Sequence, residues 1–446
     1  MGLFLILAVP PTQFLDEPNH FYRAYGISLG QLVAQSHGDR TGGILPDCLP
    51  AYMNLEFRPA ETPNRFHPST FLRQPRPCTS NQTFLPFENT ALYFPVAYVP
   101  QSFALFLTRS LGLPLAIQFY AGRFAAFAAF ILLAWTALTI APWGRSVMLV
   151  VATWPMTLLG AASYSADTMT TALALILVAC VLRARDDSND SLRWFLVGSA
   201  VAVALGLSKS TYFVLAPLLF LVPDAIARSR LAALLLKFGA VAAVAVTSGA
   251  WYLAVHSINL TPALPPGSGT ISPSRQLALV LAHPAHYAKS MVTTLLGSQA
   301  GYFTWETFVA QVGFFRSFAA GIPFPQPWVM VSGYLALAFA YAQESSRSWV
   351  LSVSRITFGL VPPALILANV VLIFMAGYLA ATPVGGPLEM LQGRYLIPLI
   401  AVPLISLSIL QRGEHLARSI VLPVALVIVM YVGVVLKVLG VFYGIG

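Results

Sequence analysis

Along most of the chain from Leu115 onward, apolar runs of roughly 20 residues recur, which is the length a helix needs to cross a bilayer core. The runs are continuous and rich in Leu, Ala and Val. A barrel strand would instead alternate apolar and polar positions in roughly ten-residue segments. The pattern therefore predicts an all-α fold, a polytopic transmembrane helix bundle of about ten or eleven spans. Spans are expected near 115–140, 146–162, 167–183, 193–209, 211–227, 238–256, 328–344, 356–380, 395–410 and 420–440. Ahead of them, Met1–Pro10 is apolar but too short to span, and reads as part of a first helix or as a partial span. A cleaved signal peptide is disfavoured, because no basic n-region or small-residue cleavage site precedes Pro10.

The segment Tyr93–Arg109 is apolar but short and interrupted by Pro95 and Pro100. Inserting it would invert every basic loop that follows, so it is expected to be a juxtamembrane or half-inserted helix. The expected organisation is a partial first transmembrane segment (1–10), a first extracytoplasmic loop with juxtamembrane helices (11–114), the N-terminal part of the bundle (115–256), a second large extracytoplasmic loop (257–327) and the C-terminal part of the bundle (328–446).

Composition and charge sharpen this picture. Only 9% of the 446 residues are charged and 57% are hydrophobic, far from the quarter or so of charged residues in soluble domains. The net charge of +9 does not form a basic stripe interleaved with aromatics, so no nucleic acid partner is expected. Instead the basic residues sit in five short loops, around Arg145, Arg183 to Arg193, Arg228 to Lys237, Arg347 to Arg355 and Arg412 to Arg418. By the positive-inside rule these lie in the cytoplasm and the polar N-terminal loop lies outside. Cys48, Cys78 and Cys180 are too few for a disulfide scaffold, although Cys48 and Cys78 share the first loop and could pair in an oxidising compartment.

Candidate chemistry gathers at the outer ends of the spans. Asp16, Glu17, His20 and Arg23 follow the first apolar segment; a helix starting near Pro18 would put His20 and Arg23 on the face that Asp16 caps. Acid, imidazole and guanidinium would then meet at the membrane surface, a set suited to acid/base work on a sugar or phosphate. The plainer alternative is an N-cap followed by a solvated first turn. Asp167 is a border carboxylate that is costly unless paired, or an ordinary N-cap. Lys209 is the only charge between Arg193 and Asp224, and either snorkels or binds phosphate. Gln392, Arg394 and Tyr395 precede a span at the same level, where Arg394 offers a fork suited to phosphate. His283, His286 and Lys289 read as surface residues, and Asn81 and Asn259 only match a weak glycan-acceptor pattern.

The order of these features, from Asp16-Glu17-Pro18-Asn19-His20-Phe21-Tyr22-Arg23-Ala24-Tyr25 through Tyr93–Gln101, Arg123, Met156–Asp167 and Ser208-Lys209-Ser210 to Gln392-Gly393-Arg394-Tyr395, resembles the DUF2142 family of bacterial membrane proteins. That family is similar to the GT-C glycosyltransferases. The resemblance implies a GT-C-like bundle in the bacterial inner membrane that moves a sugar from a polyprenyl-phosphate donor to an envelope glycan or lipid acceptor on the periplasmic or outer face, with inversion. It implies Asp16 as catalytic base with Glu17 beside it, Asp167 as an acceptor- or metal-binding acid, and Arg394 and Lys209 as holders of the donor phosphate. Whether a divalent metal such as Mg or Mn joins Asp16, Asp167 and His20 stays open. A lipid-linked sugar transporter or flippase is the alternative. It would place polar residues at midplane, whereas the middles of these spans are nearly free of charge.

Overall fold

A computed structural model describes residues 1–50, 81–187, 189–255, 270–311, 327–344, 348–349, 352–388, 391–412 and 420–444. Helix α1 (Gly2–Ala8) leads through a tight turn into α2 (Glu17–Ser28). A small antiparallel sheet follows, with β1 (Gln35–His37) and β3 (Gln82–Pro86) flanking β2 (Arg40–Pro46), in a register that pairs Gln35 with Gly42 and Ile44 with Phe84. This sheet adds a feature that the all-α expectation did not contain. Among the described residues the one other strand pairing is short, Ser348–Trp349 with Gln411–Arg412, and the bundle they decorate is helical.

Helix α3 (Val99–Ser110) buries Gln101, Ser102, Leu105 and Thr108 while presenting Phe103, Phe106 and Leu107 outward, the two-faced pattern of a helix lying along an interface. Among the described residues seven helical stretches are long and apolar enough to cross a membrane: Leu115–Ile140, Asp167–Asp186, Ser191–Ser208, Arg230–Val255, Val353–Ala381, Gly393–Leu410 and Val421–Tyr443. We label the first four α4, α5, α6 and α7 in that order. Helix α5 is buried along most of its length and forms the axis of the bundle, whereas α4, α7 and Val421–Tyr443 expose apolar faces at Leu132, Leu235 and Leu436. Such apolar outer surfaces fit lipid, which offers the backbone no hydrogen bonds and so requires helices.

Of the three remaining expected spans, proline breaks up two, and the third is a helix outside those seven. The stretch expected at 146–162 is split into Arg145–Ala152 and Pro155–Ala161, since Pro155 lacks the N–H and its ring obstructs a continuous helix. The stretch expected at 211–227 is the shorter 3-10 segment Ser210–Leu221, which carries Pro217 inside it. Pro327–Glu344, expected at 328–344, is a regular helix packed on Val421–Tyr443.

At one end of the bundle the Glu344 carboxylate accepts the backbone N–H groups of Gly144 (2.8 Å) and Ser146 (2.9 Å), capping the helix that begins at Arg145. Arg183 and Arg185 lie at this end, and the sheet decorates the other. Cys48 takes part in a disulfide; Cys78 and Asn259 lie outside the described residues.

Candidate functional site

Four charged side chains join end to end where α5 starts, α6 finishes and the segment Gly393–Leu399 begins. The Asp16 Oδ2 accepts from the Arg394 guanidinium at 2.7 Å, Arg394 Nε lies 3.0 Å from Asp167 Oδ2, and Asp167 Oδ1 accepts from Lys209 Nζ at 2.7 Å. Asp16, Arg394, Asp167 and Lys209 thus alternate in sign and sum to zero. At the border of an apolar bundle that balance is what makes four ionised groups tolerable. Asp16 is the most open of them, with 20% of its side chain exposed against 5% for Arg394.

Local structure explains how each group arrives. Asp16 occupies the N-cap position of α2 but makes no capping hydrogen bond, and its φ of 57° lies in the left-handed region. Asp tolerates that region better than most residues. Its side chain is turned away from the helix, and Asn89 Nδ2 (3.2 Å) and Gln392 Nε2 (3.4 Å) also donate to its carboxylate. The capping alternative is therefore not the one realised. Asp167 stands in the first turn of α5, where the helix dipole favours an anion, and its own N–H donates to Ser165 Oγ at 3.2 Å.

Lys209 closes α6, and its ammonium sits 3.4 Å from the centroid of the Tyr395 ring, a cation–π contact that adds to the ion pair. Arg394 depends on its neighbour Gly393. A Cβ there would come 1.9 Å from the Thr304 carbonyl oxygen, so only glycine lets this segment lie against Ser298–Val309. Tyr212 O–H donates to the Tyr395 carbonyl at 2.5 Å and fixes the far side of the motif.

His20 faces the same cluster. Its ring stacks on Tyr93 with centroids 5.9 Å apart, and Nδ1 shares a 2.7 Å hydrogen bond with the Tyr98 hydroxyl. Burial pushes its pKa down to about 4, although the Asp16 carboxylate pulls the other way, so the imidazole is neutral near pH 7. Burial likewise holds the Tyr93 and Tyr98 phenols well above their ordinary value, and both stay protonated.

Two expected members stand elsewhere. The Glu17 carboxylate is fully buried and meets Arg123 in a two-pronged ion pair (2.8 and 2.6 Å), and it also accepts the Thr12 N–H at 3.0 Å. Its neighbour in sequence, Asp16, points to the cluster; Glu17 points into the bundle. Arg23 spends its guanidinium on the backbone carbonyls of Gln31 (3.3 Å), Leu32 (2.7 Å) and Tyr93 (3.0 Å), and braces the loop after α2 instead of joining the cluster. The expected meeting of acid, imidazole and guanidinium does occur, but the guanidinium is that of Arg394.

Sequence reasoning passed over the role of Arg123. It sits nine residues into α4, with no exposure, and besides Glu17 it donates to the carbonyls of Ile6, Val9 and Pro10. An arginine inside an apolar run was the signal. Its partner could be named only in three dimensions.

Among the described residues no group of three His, Cys, Asp or Glu converges to hold a metal ion. Asp16 and Asp167 each already carry a cation, which is a poor donor set for a hard divalent ion. His283, His286 and Lys289 are exposed and remote from the cluster in sequence and element.

The fold and the site define a polytopic helical membrane protein with a charge-balanced polar site at one end of its bundle. The chain belongs to DUF2142, a family of predicted membrane proteins, which matches residues 1–403. It matches no curated protein and no solved structure.

Proposed function

We propose that this protein is an inverting glycosyltransferase of the GT-C type, which takes a sugar from a polyprenyl-phosphate donor to a hydroxyl of an envelope glycan or lipid. The observation that carries the reading is the Asp16–Arg394–Asp167–Lys209 chain: a base, two phosphate-binding cations and a second acid in one place, at the mouth of an apolar bundle that can shelter a lipid tail. Basic residues collect at the opposite end, so the positive-inside rule turns the site toward the periplasm or exterior of a bacterial inner membrane.

In the resting state Arg394 is held by both acids. An arriving donor phosphate competes with Asp16 for the guanidinium and leaves the Asp16 carboxylate free to accept a proton. The acceptor oxygen then attacks the anomeric carbon from the face opposite the phosphate while Asp16 takes the hydroxyl proton. The bond from the anomeric carbon to the phosphate oxygen breaks, its electron pair leaves with polyprenyl phosphate, and Arg394 and Lys209 stabilise the growing charge. The Tyr93 ring, stacked on the buried His20 ring and itself partly exposed, offers an aromatic face of the kind that packs against a sugar.

A panel of radiolabelled polyprenyl-phosphate sugars incubated with purified protein and membrane extract tests this. Transfer of label from one donor, with release of polyprenyl phosphate, is expected. No transfer from any donor, together with protein-dependent movement of the donor between leaflets of liposomes, would replace the transferase with a flippase.

A further inference from the structure

At the opposite end of the bundle lies a second polar cleft of about 400 Å³, within the size range of small-molecule sites. Its walls come partly from the elements that build the first site. Helix α5 runs from Asp167 to Arg185, the segment after Lys209 ends at Leu221, and the stretch after Arg394 continues to Ser408. Eighteen residues of helix separate Asp167 from Arg185 by about 27 Å.

Arg185 and Arg355 both line this cleft and repel one another across it. Arg185 is held in place by donating to Ser408 Oγ (2.9 Å) and to the Leu221 carbonyl (2.5 Å), and Arg355 by donating to the Ile409 carbonyl (3.1 Å). Among the described residues no carboxylate pairs with either guanidinium. The cleft's carboxylate, Asp224, is engaged by Lys237 (2.7 Å) and Arg230 (3.7 Å). Two like charges held in place by neutral partners are a standing cost, and an anion between them would relieve it. The rim is partly apolar: Phe220, Val222 and Pro223 on one segment and the exposed Phe358 beside Arg355 line the cleft next to the charges.

We propose that this cleft binds a phosphate group, seated between Arg185 and Arg355, and that its source is the headgroup of an anionic membrane lipid whose chains lie along the apolar part of the rim. A free phosphate or glycerophosphate presents the same chemistry without the chains. The proposal stands independently of the transferase reading, because nothing at the Asp16 cluster enters it.

The test uses the full-length protein in nanodiscs of phosphatidylcholine with a minority of phosphatidylglycerol, with retained lipid counted by native mass spectrometry. Phosphatidylglycerol is expected to be retained in preference to phosphatidylcholine, and Arg355→Ala to cut that preference about tenfold, the equivalent of one charge-assisted hydrogen bond. Arg355→Lys, which keeps the charge, should retain part of it, and Asp16→Asn all of it. Binding of inorganic phosphate or glycerol phosphate that needs Arg355, without lipid retention, would assign the same site to a soluble anion. Equal retention of both lipids, and phosphate binding unchanged in a stably folded Arg355→Ala, would overturn the proposal.

Discussion

Asp16 and Glu17 are adjacent acids with opposite situations. One is partly open and faces two donors besides Arg394; the other is sealed against Arg123. Replacing Arg394 with Ala should weaken donor binding by at least about tenfold, the worth of a charge-assisted hydrogen bond, and donor affinity measured by titration checks it. Unchanged affinity would remove Arg394 from the donor site. The depressed His20 pKa makes a further prediction. Folded His20 titrates near 4 and unfolded His near 6.5, so between these values the unfolded chain binds more protons. The contribution of His20 to stability is therefore present above pH 6.5 and is lost as pH falls through 4. His20→Gln should flatten acid-induced loss of stability across that window, and the pH–rate profile should show no inflection near 6.5 that His20→Gln abolishes.

At the scale of elements, the turn between α1 and α2 is held by its surroundings. Thr12 has a φ of 70°, an uncommon value for a β-branched residue, and its N–H is tied to Glu17. Arg123 then gathers the carbonyls of Ile6, Val9 and Pro10 together with Glu17, so α4 fixes the turn that presents Asp16. Glu17→Gln leaves a buried guanidinium without its counter-charge and should cost about 3–5 kcal/mol of stability, read by thermal or denaturant unfolding. A stability within about 0.5 kcal/mol of the wild type would remove the pair from that role.

The sequence made the polar cluster legible wherever a charge interrupted an apolar run: Asp167, Lys209 and Arg394 were all visible that way. Arg123 interrupted a run just as plainly. The partners were not legible, because the bond from Arg394 to Asp16 spans 378 positions and depends on how the two ends of the chain pack. Helix breaks at Pro155 and Pro217 were blurred for a different reason. Hydropathy windows average over a proline, while the backbone does not. The small sheet was hidden in a loop of mixed polarity, where no alternation announced β1 or β3.

For the whole molecule, the decisive asymmetry is between an end bearing the charge-balanced site and an end bearing Arg145, Arg183, Arg185 and Arg193. The proposed orientation predicts that a cysteine placed at the exposed Asn89 reacts with a membrane-impermeant thiol reagent in intact cells, and one at Arg193 reacts only after permeabilisation. The reverse pattern would invert the topology and remove the site from the outer face. Cys180 is buried and should give no background.

The central claim is that Asp16 acts as the base of a sugar transfer, and the most direct measurement is the transfer rate of Asp16→Asn beside the wild type, at matched expression and thermal stability. The exchange keeps shape and removes the proton acceptor. A loss of 10²-fold to 10⁴-fold with donor binding retained is the expected result, the range that a general base contributes. A folded Asp16→Asn that transfers at the wild-type rate would contradict the account.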